Sequence, residues 1–291
     1  MTPHIPGVLR VEGLDGWRAP LVFDSPHSGT EYPADFDHAA DPVRLRWAED
    51  THVHDLWAGA AEAGAALLHA QFPRIYIDAN RAEDDMDPDA LDGPPPWPLA
   101  PTEKSRLGIG LCWTKVPPDG APLYARRMTP QELRARVETY HRPYQRQLRA
   151  LLDAAQGRWG AVWHVDCHSM QDRASAMSTQ PRGAQRPDFV LGDRDGTSCA
   201  PDFTACVAEF LTARGHSVAL NDPYKGMELV RMSGDPASAR HSLQIEVNRK
   251  LYMDEETRAP NAGYPALKAT FADLARHLAA FTQAALQGQT A

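Results

Sequence analysis

The chain has 291 residues, of which 43% are hydrophobic and 23% charged, and its 38 acidic against 30 basic side chains give a net charge of -8. These proportions describe an ordinary globular chain and exclude a broad nucleic-acid surface, which needs clustered Lys and Arg. No run approaches the ~20 apolar residues that span a bilayer. The opening MTPHIPGVLRVEGLDGW lacks the basic and apolar regions of a signal peptide. The four cysteines, Cys112, Cys167, Cys199 and Cys206, include no C-x-x-C pair and read as reduced thiols. A cytoplasmic protein is expected.

The first expected strand, Leu21-Val22-Phe23, stops at the turn-forming run Asp24-Ser25-Pro26-His27-Ser28-Gly29. A helix is expected from about Val43 to Ala63, ending at Gly64; on it Asp50 and His54, four apart, share a face. Apolar runs at Ala65 to Leu68 and Arg74 to Ile77 follow, the second read as a strand ending in Asp78-Ala79-Asn80-Arg81. Residues 82–123 are acidic and then proline-dense, and we read them as a lid or insertion loop over a site.

Thr129-Pro130-Gln131-Glu132 opens a helix with a capping box, and Pro143 is expected to kink it. The strand Ala161 to Val165 runs into Asp166-Cys167-His168-Ser169. Strands at Phe189 to Leu191, Val218 to Leu220 and Leu243 to Val247, and helices from about Pro201 and Tyr264, complete the pattern. Interleaved strands and helices indicate an α/β sandwich around one central sheet, as a single catalytic domain over 1–291.

Ligands collect outside the carboxyl ends of strands in such sheets. Here His27 and His168 stand at strand ends, and Glu246 lies in an apolar strand where an unpaired carboxylate is costly; Arg249 is one candidate partner for it. Each alone has an ordinary structural reading, since the chain holds 12 histidines. Together with an acid from Glu49-Asp50 the two histidines form the ligand set of a catalytic zinc site, two imidazoles and a carboxylate with an open position. Asp166 and His168 alternate on one strand face and Cys167 points to the other, which makes Cys167 a poor nucleophile. Asp166 is suited to hold a ligand imidazole in place, as is Asp78.

The ordered set Ser25-Pro26-His27-Ser28-Gly29, Glu49-Asp50 with Val53 and Leu56, Asp78-x-Asn80-Arg81, Asp166-Cys167-His168-Ser169 and Gln244-Ile245-Glu246-Val247-Asn248-Arg249 resembles the N-formylglutamate amidohydrolase family. The resemblance implies the phosphorylase/hydrolase-like α/β sandwich shared with zinc carboxypeptidases. It implies metal-dependent hydrolysis of N-formyl-L-glutamate to formate and glutamate in histidine degradation. By position, His27, His168 and Asp50 (with Glu49 as the alternative acid) are expected to bind Zn²⁺ or another divalent metal, and Glu246 to act as general base. Asn80 and Arg81 are expected to hold a substrate carboxylate. A second arginine, Arg231 or else Arg126 or Arg127, is expected at the other carboxylate. One departure stands out: Lys225-Gly226-Met227 follows Asn221-Asp222-Pro223-Tyr224 where the family tends to carry a double glycine. The expected partner is a small N-acyl amino acid, with no nucleic acid and no membrane. The alternatives are a zinc amidase or deacylase for another N-acyl amino acid or peptide, or a catalytically silent carboxylate-binding protein.

Overall fold

A computed structural model describes residues 2–288. In chain order the elements are β1 (His4–Ile5), β2 (Leu9–Glu12), β3 (Leu21–Ser25), α1 (Pro42–Leu45), α2 (Val53–Leu56), α3 (Gly59–Glu62) and β4 (Ala66–Ala70). Then come α4 (Glu103–Arg106), β5 (Lys115–Val116), β6 (Ala121–Pro122), α5 (Pro130–Arg136), α6 (Arg142–Trp159) and β7 (Val162–Met170). The chain closes with β8 (Phe189–Gly192), α7 (Pro201–Thr212), β9 (Val218–Leu220), α8 (Glu228–Ser233), β10 (Arg240–Asn248) and α9 (Tyr264–Gly288).

Eight strands form one mixed sheet in the order β1-β2-β4-β3-β7-β10-β8-β9. The run β4, β3, β7, β10 is parallel, so these strands present their carboxyl ends along one edge. Period-2 alternation divides the central strands between two cores. Leu21 and Phe23, Trp163, Val165 and Cys167, and Leu243, Ile245 and Val247 face a layer built from α2, α3, α7 and α9. Tyr144, Leu148, Leu151 and Leu152 of α6 cover the other face. There the central strands present a polar seam: Ser242 pairs in register with His164, Gln244 and Asp24 with Asp166, and Glu246 with His168. This is the three-layer α/β sandwich expected from the sequence. No helix among the described residues is long and apolar enough to cross a membrane.

Four expected elements differ. The helix expected from Val43 to Ala63 is broken, because Glu49 is extended and His52 is left-handed at φ 70°. Asp50 and His54 therefore share no helical face: the Asp50 N–H donates to the His27 carbonyl (2.9 Å), while His54 stacks on His69, ring centroids 4.9 Å apart. The run Ile75 to Ile77 is buried but joins no strand. Arg136 donates to the Tyr76 carbonyl, the Tyr76 N–H donates to the Pro73 carbonyl and the Leu111 carbonyl accepts the Asp78 N–H, so these groups pair outside any ladder. The strands carrying His168 and Glu246 run further than expected, over Val162–Met170 and Arg240–Asn248, and hold both residues inside the ladder.

The capping box at Thr129 and Glu132 is formed. In place of a simple kink before Pro143, a π-helical turn over Val137–His141 joins α5 to α6. It buries His141, whose Nε2 meets the Arg81 carbonyl at 2.8 Å. Residues 82–123 carry a 3₁₀ turn, α4 and the β5–β6 hairpin, and they are fastened through Asp85: its carbonyl accepts the Leu111 N–H and its Oδ1 accepts the Thr102 N–H at the start of α4.

Candidate active site

The loop after β3 brings His27 inward. Gly29 lets this turn lie against the backbone of residues 71 and 72, where a Cβ would stand 2.3 Å from the Phe72 oxygen. His27 Nδ1 is 3.0 Å from His168 Nδ1. Asp50 Oδ2 lies 3.4 Å from the first and 3.1 Å from the second. All three residues are buried.

The opposite ring nitrogens are claimed by carboxylates. His27 Nε2 is 2.6 Å from Asp78 Oδ1, and His168 Nε2 is 2.7 Å from Asp166 Oδ1. A carboxylate at that distance places a hydrogen on Nε2 and turns both Nδ1 atoms toward each other and toward Asp50 Oδ2; against the effect of burial, Asp166 and Asp50 hold the His168 imidazolium well above its ordinary value, so a proton occupies the place a metal cation would take. Two imidazole nitrogens and a carboxylate oxygen converging in a buried site need a cation, a proton or a metal ion, between them. Their separations match the roughly 3.3 Å expected between ligands of a tetrahedral ion with bonds near 2.0–2.1 Å. The residues fit a small divalent metal.

Their supports keep the carboxylates charged. Burial would raise the Asp78 carboxyl, but the Arg74 guanidinium (2.8 Å) and His27 hold it well below its ordinary value. Asp50 is likewise pushed up by burial but held low by His168 and His27. Glu49 turns away, accepting from Tyr32 Oη (2.7 Å), Thr51 and Arg46. Asn80 Nδ2 donates to Asp166 Oδ2 (3.1 Å), and its Oδ1 accepts the Leu229 N–H (2.8 Å) at α8.

Glu246 stands beside His168 on the neighbouring strand. Arg249 is not its partner, because that guanidinium binds Asp50 Oδ1 (3.0 Å), Ser169 and two backbone carbonyls. Glu246 accepts a hydrogen bond from Gln244 Nε2 (3.0 Å), and burial pushes its carboxyl above the ordinary range. That suits a group that must take up and release a proton. Cys167 points into the opposite core, where burial raises its thiol well above the usual value, so it offers no thiolate here.

An inner chamber of about 80 Å³ is lined by His27, His168, Glu246, Asn80, Arg81 and Tyr224, among others. It shares Arg74, Arg81, Lys104, Ser169 and Tyr224 with an outer chamber of about 140 Å³. Arg231 is not brought here: it lies exposed and pairs with Glu228 (2.7 Å). Arg126 and Arg127 line a separate surface cleft, where Arg126 binds Glu132 and Asp37. Sequence reasoning missed Arg74, Lys104 and Arg186, which line the cavity in their place. The Arg74-to-Asp78 spacing of four was the only signal for the first of them.

A sequence model of the N-formylglutamate amidohydrolase family matches residues 19–253. An N-formylglutamate deformylase of Pseudomonas aeruginosa is 30% identical over 244 residues, covering 82% of this chain and 84% of that protein. The crystal structure of an N-formylglutamate amidohydrolase from Ralstonia eutropha JMP134 superposes with a TM-score of 0.92 at 46% identity, covering 96% of this chain and 99% of the other. A protein of Agrobacterium tumefaciens at 15% identity, covering 96% of each chain, shares the fold with a TM-score of 0.67. By the extent of the family match and the identity to these relatives, the chain belongs to the N-formylglutamate amidohydrolase family.

Proposed function

We propose that this chain hydrolyses the formamide bond of N-formyl-L-glutamate to formate and L-glutamate, using a metal held by His27, His168 and Asp50. The observation that carries the reading is the meeting of two imidazole Nδ1 atoms and one carboxylate oxygen within 3.0–3.4 Å, beside a buried Glu246, in a member of this family. The nitrogen and oxygen donor set suits zinc, the metal we favour. When bound there, zinc would supply Lewis-acid polarisation of the formyl oxygen and lower the pKa of a bound water to about 7.

The side chains do the rest. Glu246 accepts the proton of the attacking water as the new C–O bond forms at the formyl carbon. The C–N bond then breaks, and Glu246 returns the proton to the departing amine nitrogen, so that one carboxylate serves both half-steps. Asp78 and Asp166 fix the tautomer of the two imidazoles. Arg81, buried beside Asn80, offers a planar fork to the α-carboxylate. We read the chain as one catalytic unit in which 82–123 covers the site, a reading supported by Lys104, Ile109, Trp113 and Pro117 along the cavity wall. A cytoplasmic setting fits the four unpaired cysteines.

The test couples elemental analysis to formate release from N-formyl-L-glutamate with and without a chelator. Near-stoichiometric zinc and chelator-sensitive formate release are expected. Release of formate by fully metal-free protein, or no turnover by the metal-loaded one, overturns the reading.

A further inference from the structure

Five cationic side chains line the two chambers: Arg74, Arg81, Lys104, Arg186 and Arg249. Most of their donors are engaged. Arg74 binds Asp78, Arg249 binds Asp50, Ser169 and the backbone, and Arg186 binds Gln180, Ser178 and the Gln171 carbonyl. Arg81 and Lys104 differ. Arg81 Nε and Nη1 are buried without a hydrogen-bond acceptor, the nearest carboxylate oxygens lying 3.7 and 4.0 Å away. The Lys104 ammonium has no acceptor among the described residues and lies 5.4 Å from the centre of the Tyr224 ring. A cavity in which Arg81 keeps unfilled N–H donors and Lys104 has no hydrogen-bond acceptor is complementary to a ligand with two carboxylates.

We infer that Lys104 is the residue that selects an acidic side chain, binding the distal carboxylate of the substrate while Arg81 binds the α-carboxylate. Arg81 follows Asn80, whose amide touches Asp166 and His168, so its fork serves the carboxylate nearest the reacting carbon. Lys104 enters from α4, an element of a different part of the chain, and its flexible stem suits the more distant group. Asp85 couples the two, with Oδ2 3.7 Å from Arg81 Nη1 and Oδ1 accepting the N–H of Thr102, the cap of α4. Tyr224 shields one side of the ammonium, and Met227 adds apolar wall for methylene groups. Residues 82–123 thus carry specificity as well as cover.

The assignment rests on the reading of this cavity as an N-formyl amino acid site, and the experiment separates the two. Binding of L-glutamate and L-glutamine, equal in shape but differing in side-chain charge, is measured by calorimetry on metal-loaded wild type, Lys104→Met and Lys104→Arg. Kinetics with the two N-formyl derivatives run in parallel. Wild type is expected to favour glutamate by ten- to a hundredfold, the scale of one charge-assisted hydrogen bond. Lys104→Met should bring the ratio within about twofold while glutamine binding holds, and Lys104→Arg should keep most of the preference. An unchanged ratio in Lys104→Met, equal weakening of both ligands, or no preference in wild type overturns the inference. If wild type hydrolyses neither formyl compound yet Lys104→Met still erases the glutamate preference, the proposed function fails and the role of Lys104 stands.

Discussion

Arg249 Nη2 grips Asp50 Oδ1 at 3.0 Å and leaves Oδ2 alone to face His27 and His168. Both groups are buried, so the pair fixes which oxygen points at the imidazoles and offsets its charge. Removing such an orienting partner typically costs ten- to a hundredfold in metal affinity. Arg249→Met should weaken zinc binding by that factor in a chelator competition. Unaltered affinity in a folded variant would show that Asp50 is oriented by its backbone alone.

His27→Ala and His168→Ala should each abolish stoichiometric metal together with turnover. The adjacent acids give a sharper contrast. Asp50→Asn should lose most of the metal, whereas Glu49→Gln should retain it, because the Glu49 carboxylate is held by Tyr32, Thr51 and Arg46 and faces away. Metal content by mass spectrometry of the native protein decides, and metal loss in the Glu49 variant with full occupancy in the Asp50 variant reverses the assignment.

Glu246→Gln preserves shape and removes the proton acceptor. It should keep full metal and a near-normal KM while kcat falls by about 10²–10⁴-fold. A kcat within threefold of wild type would move the base role elsewhere.

The polar seam was legible in the sequence because a strand has period 2: Asp166 and His168 necessarily share a face, and Glu246 stands out as a carboxylate in an apolar run. The sequence does not announce the break that delivers Asp50, because the left-handed residue is His52, not glycine or asparagine. Ile75 to Ile77 resembles a strand because burial alone sets its composition; its hydrogen bonds go to distant groups such as Arg136. Arg231 is a cation in the sequence, but Glu228 three residues before it indicates a local surface pair. Lys104 lies in Glu-Lys-Ser-Arg, which reads as a solvated turn of helix although Lys104 lines both chambers of the site.

The layer opposite the polar seam is anchored by Trp57, stacked on Phe271 at 4.2 Å between ring centroids and packed on Phe23 at 5.1 Å. It is fully buried, so Trp57→Ala should destabilise the fold by about 3–5 kcal/mol through lost burial and the cavity left behind. Urea unfolding measures this, and a loss below about 1 kcal/mol would mean that α9 collapses into the space. Zinc stoichiometry of the variant, assayed while folded, should be intact.

Lys104 gives the site a pH dependence with a definite sign. Burial and the neighbouring Arg81 and Arg74 charges lower its ammonium to about 8, against the opposing pull of Glu246 and Asp78. The Tyr224 phenol beside it is raised to about 12 and stays neutral in this range. A lysine with a lowered pKa is charged below that value and loses its charge as pH rises through it. The KM for N-formyl-L-glutamate should therefore rise above pH 8, approaching tenfold per unit, while that for N-formyl-L-glutamine changes little. The ratio of the two removes effects common to both substrates, including changes at the metal or at Glu246. In Lys104→Arg the guanidinium remains protonated, and the ratio should stay level between pH 7 and 9.5. A level ratio in wild type over the same range would mean that no ammonium titrates against the distal carboxylate.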